Sequence, residues 1–165
     1  MSSRLLYRGP ALTALHEEYA KHGRTDQQAP IAATGSVYVD APPRRVWETL
    51  SAVVNWPAVD PAISDVQLPA GVAVDAPFTW VSGRARITSR FAVVNIDHEL
   101  TWTGVSFGAR AVHRHLLHAT PGGGTWLESA ESMTGPLLTL FYSSARLDKD
   151  LTGWLGAIKT AAEHR

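Results

Sequence analysis

The chain contains no cysteine, which removes a disulfide framework, a thiolate nucleophile and cysteine-bound zinc from consideration. It also lacks an excess of either charge. Fifteen lysines and arginines balance fifteen aspartates and glutamates, so no long-range field draws the protein to nucleic acid or to an anionic membrane, and neither is expected as a main partner. No apolar run approaches the length of a membrane span, and the opening MSSRLLYRGPALTALHEEY has no uninterrupted apolar core of the signal-peptide kind. A soluble cytoplasmic protein without membrane insertion is the expectation. A Ser-His-Asp nucleophile elbow and a phosphate loop are missing too: Gly122, Gly123 and Gly124 read as a hairpin turn without the lysine or following helix that a phosphate site requires. What is present is 165 residues, 45% of them apolar, enough for one domain with a sizeable core.

The most informative stretch is SVYVDAPPRRVWETLSAVVNWP, residues 36–57. Val37 and Val39 alternate with Ser36 and Tyr38 as in a strand with one buried face. Asp40 is placed to cap a helix just after it. Pro42 and Pro43 suit the first turn of that helix, where backbone amides lack intrahelical partners, so its start is expected at about Pro43. Val46, Leu50 and Val53 share its buried face, with Trp47 beside them.

Upstream, Gly9-Pro10 opens a helix that Gly23 closes, with Leu12, Leu15 and Tyr19 on one stripe. Residues 24–28 read as a linker. Residues 1–34 therefore form a helical arm and linker, packed outside the domain or serving as a lid or dimer-exchange arm, and residues 35–165 form the domain proper. Downstream, Pro57 and Pro61 punctuate a short helical turn. Strands are expected at 65–68, 78–82, 84–95, 99–105, 110–120 and 125–134, separated by Gly, Asp-His or Gly-rich turns. In the strand from Arg84, the residues Arg84, Arg86, Thr88 and Arg90 take one parity and Ala85, Ile87, Phe91 and Val93 the other, a solvated convex face opposite an apolar one. From Pro136 a long amphipathic helix runs through Leu137, Leu140, Phe141, Leu147, Leu151, Trp154 or Leu155, and Ile158. Gly153 and Gly156 would allow another element to approach it closely.

These pieces resemble the START-like helix-grip (SRPBCC) superfamily, in its polyketide cyclase/dehydrase-like branch. APPRRVW, NWP and DPAI occur in that family's order, as do Phe78 to Trp80, Leu100 to Trp102, the A-V-H ending at His113 and the E-S-x-x-G from Glu131 to Gly135. The resemblance implies an α+β helix-grip fold: a curved seven-stranded antiparallel sheet around a long C-terminal helix, with two short helices after the first strand. The N-terminal helix is extra to it.

Such a sheet leaves a hollow facing the helix. Alternation assigns Phe78, Trp80, Leu100, Trp102, Ala111, His113, His115, Leu117, Leu127, Ser129, Glu131 and Met133 to the concave side. Of these Phe78, Trp80, Leu100, Trp102, Leu117, Ser129 and Met133, with Phe141 from the helix, are the expected ligand contacts, an apolar and aromatic wall suited to stacking on flat ligands. A three-residue loop at Gly122–Gly124 would pair Pro121 with Thr125 and set Glu131 opposite His115, with His113 one pleat away. His113, His115 and Glu131 are then candidate catalytic groups, because a carboxylate can orient an imidazole for proton exchange near neutral pH. They would equally serve as a satisfied polar network in the core. His-x-His with a glutamate could also bind zinc, but the resemblance brings no metal motif, and neither metal nor other cofactor is expected. His118 has the opposite parity; His16, His22, His98 and His164 read as surface residues.

The leading expectation is binding of a small hydrophobic ligand, aromatic, polyketide-like or lipid-like. The alternatives are a polyketide aromatase/cyclase or dehydratase using a histidine base, and a protein-interaction module of co-chaperone type, in which an exposed apolar surface replaces the deep cavity. A homodimer is left open.

Overall fold

The computed structural model describes residues 7–164. Seven strands form one antiparallel sheet in the order β1-β7-β6-β5-β4-β3-β2: β1 (Ile31–Val39), β2 (Ile63–Gln67), β3 (Pro77–Ser82), β4 (Ala85–Asn95), β5 (Glu99–Ser106), β6 (Ala109–Ala119) and β7 (Thr125–Thr134). The first strand therefore begins five residues before Ser36, and the boundary expected between residues 34 and 35 falls inside it. The reason lies in β7, whose residues 125–133 pair in unbroken register with 39–31.

Between β1 and β2 lie α2 (Pro43–Ser51) and the one-turn α3 (Trp56–Val59). Helix α2 starts where the prolines suggest, with Val46, Trp47 and Leu50 buried, but Asp40 does not cap it. The residue at the cap is Pro42, and the Asp40 amide donates instead to Glu163 Oε1 at 2.7 Å. The expected helix from Pro136 is broken in two. A single turn, α4 (Leu138–Phe141), is followed by extended Tyr142 and Ser143, and α5 (Ser144–Glu163) starts on a Ser143 cap whose Oγ accepts from the Arg146 amide at 3.2 Å.

Helix α5 lies across the concave face along β1. The glycine that lets it approach is in the strand: a Cβ on Gly35 would come within 3.2 Å of Leu155 Cδ1, whereas one on Gly153 or Gly156 would meet nothing within 4 Å. The expectation that the helical glycines serve close approach is thus corrected.

In β4 a bulge between Phe91 and Val93 advances the chain by one residue, so Val94 rather than Val93 packs on the core, and Phe91 and Ala92 are buried on opposite faces. Ala92 meets the arm. The arm is α1 (Leu12–Ala14) continued by a π turn over Leu15–Tyr19 and a 3-10 turn over Ala20–His22, closed by Gly23 at φ 63°. Leu15 and Ala20 pack with Ala92 and Val112 in a second small core on the convex side. His16, expected at the surface, is only 2% exposed: Nδ1 lies 2.8 Å from Thr103 Oγ1 and Nε2 2.9 Å from Asp75 Oδ1. Lys21 and Arg90 also reach Asp75, whose carboxyl is held below the usual carboxylate range, first by the His16 hydrogen bond and then by that of Lys21. Arg86 and Arg90 are exposed on this face as expected. His22, His98, His118 and His164 are exposed as well.

Candidate functional site

The space between sheet and helix is filled at one end and open at the other. Phe78 stacks on Phe91 with ring centroids 4.4 Å apart, and both join Leu100, Leu117, Leu127, Leu155 and Ile158 in a closed core beneath Val46 and Leu50. Toward the other end of the strands, a cavity of about 1240 Å³ opens between the sheet and α5. Its sheet side carries Ile87, Gly104, Ala111 and Met133; its helix side carries Leu147, Leu151 and Gly153.

Tryptophans stand at the divide. The indole of Trp56, from the NWP segment, is 1% exposed and donates its Nε1–H to the Leu50 carbonyl at 2.9 Å. Around it lie Trp80, Trp102 and Trp154, with centroids 5.5, 5.3 and 5.3 Å away. Trp56, Trp80, Trp102 and Trp154 all line the cavity. Of the expected ligand contacts, Trp80, Trp102, Met133 and Phe141 line it, Phe141 as an exposed residue at the mouth, while Phe78, Leu100, Leu117 and Ser129 do not. Parity puts all of the strand residues on the right face; only the placement of the helix decides which of them meet empty space. Sequence reasoning misses Tyr142, Trp154 and Trp56 as cavity residues. The NWP motif is the signal available for Trp56.

His113, His115 and Glu131 share the concave face, but the pairing differs from the expected one. The ladder ends at Ala119 and Thr125, so His113 stands opposite Glu131 and His115 opposite Ser129. The reason is a five-residue loop, Thr120 to Gly124, closed by the Thr120 amide on the Gly124 carbonyl at 2.9 Å. His113 Nδ1 lies 3.2 Å from Glu131 Oε2, and its Nε2 makes no hydrogen bond among the described residues. Both imidazoles lie parallel to Trp102, His113 at 5.2 Å and His115 at 4.8 Å.

The two imidazoles have different chemistry. His115 is 2% exposed, and its Nε2 accepts from Trp154 Nε1 at 3.1 Å, which leaves the proton of the neutral ring on Nδ1. Burial pushes its pKa down to about 3, helped by the neighbouring His113 and opposed by the Leu100 backbone. At neutral pH it is an uncharged ring whose acceptor nitrogen is occupied, ill-suited to take a substrate proton. His113 has the carboxylate beside one nitrogen and the other nitrogen unengaged, so the carboxylate contact expected of His115 belongs to His113. Near the mouth, the Tyr142 hydroxyl donates to Asp150 Oδ2. Burial, then the Asp150 hydrogen bond, raises its pKa, with Glu131 adding to the effect, so it stays a protonated phenol.

No metal-ligand cluster forms around His113 and His115 among the described residues. The grouping of His16, Glu17 and Asp75 on the convex side already holds the cations of Lys21 and Arg90, which answer its negative charge. No helix among the described residues is long and apolar enough to cross a membrane.

The family model described as polyketide cyclase/dehydrase and lipid transport matches residues 30–163. No curated protein matches the chain in sequence. Among solved structures, a hypothetical protein, jhp0584, from Helicobacter pylori superposes with a TM-score of 0.75 at 12% identity, covering 98% of this chain and 99% of its own, a span that takes in most of the arm. The Zhui aromatase/cyclase from Streptomyces sp. R1128 gives 0.69 at 16% identity over 81% of this chain and 94% of its own. A START superfamily protein from Mycobacterium smegmatis gives 0.66 at 12% identity over 80% and 97%. At these identities the likenesses speak to fold.

Proposed function

Since the chain belongs to the polyketide cyclase/dehydrase and lipid transport family, we propose that it binds a small hydrophobic molecule, flat and partly oxygenated, in the open half of its interior. The observation that carries this reading is a cavity of about 1240 Å³ walled by tryptophans, with one unengaged imidazole nitrogen, His113 Nε2, beside them. Indole faces supply stacking, and a polar group set among them can orient a ligand oxygen. The interaction-module alternative requires a filled interior, and the open half counts against it.

The test is tryptophan fluorescence titrated with aminonaphthalene and anthraquinone probes, with native mass spectrometry of whatever co-purifies. Saturable quenching at one ligand per chain is expected. Linear, unsaturable quenching with every probe would sink the reading.

A second reading, catalysis, draws on the His113–Glu131 contact. With Glu131 beside Nδ1, His113 Nε2 takes a proton from the carbon between two carbonyls of a poly-β-ketone. The resulting enolate attacks a second carbonyl to form the ring bond, the alkoxide takes that proton back from His113, and a second proton on the ring carbon then leaves with the hydroxyl as water. Turnover abolished in His113→Gln with ligand affinity retained supports this reading; turnover unchanged in that variant removes it.

A further inference from the structure

Gly104 is a buried residue of β5 that lines the cavity. It pairs across the ladder with Ser89 of β4 on one side and with Ala111 of β6 on the other. Because it has no side chain, two polar atoms flank its bare Cα. Ser89 Oγ lies 3.2 Å and His113 Nε2 3.8 Å from the point a Cβ would occupy, with Ile87 Cγ2 at 3.1 Å beside them. Ser89 is 3% exposed, and its Oγ accepts from Trp80 Nε1 at 3.1 Å. Accepting that bond leaves the hydroxyl its own proton to give, and the proton finds no acceptor among the described residues. His113 is the converse. With Glu131 Oε2 3.2 Å from Nδ1, the proton of the neutral ring belongs on Nδ1, and Nε2 presents a lone pair. A donor and an acceptor, both without protein partners, thus stand on either side of one gap in the cavity wall.

We propose that Ser89 and His113 together recognise a hydroxyl group of the ligand, a phenol or an enol, seated over Gly104. The ligand oxygen accepts from the Ser89 hydroxyl, and its proton is donated to His113 Nε2. This rests on the ligand-binding reading above and adds to it a group the ligand must carry and a residue, Ser89, that reads it. A ketone or ether oxygen takes the Ser89 proton but has none to give, so it leaves the imidazole unpaired. A plain hydrocarbon leaves both groups unpaired. A site whose polar groups lose their partners discriminates strongly against such analogues, because desolvated donors and acceptors are costly to leave unmatched. Gly104 keeps the seat open. Ser89 is not itself part of the cavity wall, so its hydroxyl meets a ligand only across this glycine.

The experiment titrates wild type, Ser89→Ala and Gly104→Ala with 2-naphthol, 2-methoxynaphthalene and naphthalene, following tryptophan fluorescence, with Tm as the check on folding. Wild type should bind 2-naphthol about tenfold or more tightly than either of the other two, the scale of one buried polar group left without its partner. In Ser89→Ala the preference for naphthol over naphthalene should fall by about fivefold or more, while naphthalene itself changes by less than about twofold. A merely structural role for Ser89 would weaken all three compounds alike. Gly104→Ala tests the seat from the other side and stands in if Ser89→Ala does not fold: its methyl occupies the gap, so the naphthol preference should collapse there too. Equal binding of the three compounds by wild type overturns the proposal and leaves ligand binding intact. So does a naphthol preference that persists in either variant. Absence of saturable binding of all three by wild type strikes the underlying reading instead.

Discussion

The two ends of the sheet–helix interior are built from the same strands, yet one is a close-packed core and the other a hollow. At the filled end, large side chains meet from both sides: Phe78, Phe91 and Leu100 from the sheet, Leu155 and Ile158 from the helix, with Val46 and Leu50 of α2 closing the gap. At the open end the sheet offers only Gly104 and Ala111 opposite Leu147 and Leu151 of the helix. The break between α4 and α5 at Tyr142 and Ser143 leaves only the single turn of α4 at that end, where Leu138 and Phe141 line the cavity. In this architecture a pocket arises where residue volume falls short of the gap left by a curved sheet. Removing atoms at the filled end should therefore hurt folding, and adding them at the open end should hurt only binding.

The largest expected effect breaks the filled end. Phe78→Ala, measured by denaturant unfolding, should cost about 3–5 kcal/mol as a core aromatic truncation, while Met133→Ala, facing existing space, should cost well under half of that. Equal losses would mean that the two ends do not differ in packing.

Next comes acid, which acts at the divide. An unfolded histidine takes up its proton near pH 6.5, but folded His115 does so only near pH 3. Between those values the unfolded chain holds more protons, so stability is intact above about pH 6.5 and drains as pH falls. The loss should be roughly 2 kcal/mol from pH 6 to pH 4.5, and His115→Gln should flatten that part of the profile.

A smaller effect tests whether the convex face speaks to the hollow. His16→Ala leaves Thr103 without its buried partner and should cost about 1–2 kcal/mol, with ligand affinity unchanged. An affinity change would show the arm acting through β5 on Trp102 and Gly104. The smallest effect is a gain at the mouth. Phe107 is 90% exposed at φ 48°, a backbone region Asn tolerates better than Phe, so Phe107→Asn should raise stability by about 0.5 kcal/mol. A loss would show that the exposed ring packs against something in solution.

Alternation and turn residues carry far in this chain because they are local. The strand at Thr125–Thr134 emerges with the expected bounds, and the shared face of His113, His115 and Glu131 holds because parity survives a change of two residues in loop length. The register within that face does not survive it. Whether the hairpin closes over three residues or five moves the carboxylate from His115 to His113, and GGG alone is compatible with either. The bulge at Ala92 is likewise silent in the sequence, since Phe-Ala-Val-Val reads as ordinary strand. His16 escapes a sequence reading because the stripe of Leu12, Leu15 and Tyr19 gives no sign that the histidine beside it leaves water. The π turn and the convex face of β5 give it a buried place and two hydrogen-bond partners.

The order of apolar and polar residues is enough to place most of the strands and their faces, since backbone periodicity depends only on neighbours along the chain, and the resemblance to the helix-grip family supplied the architecture. Which imidazole meets the carboxylate, where the arm docks and which end of the interior stays empty are settled only once the chain is folded in three dimensions. Those outcomes depend on distances between segments far apart in sequence, set by loop closure, sheet curvature and the approach of α5 over Gly35.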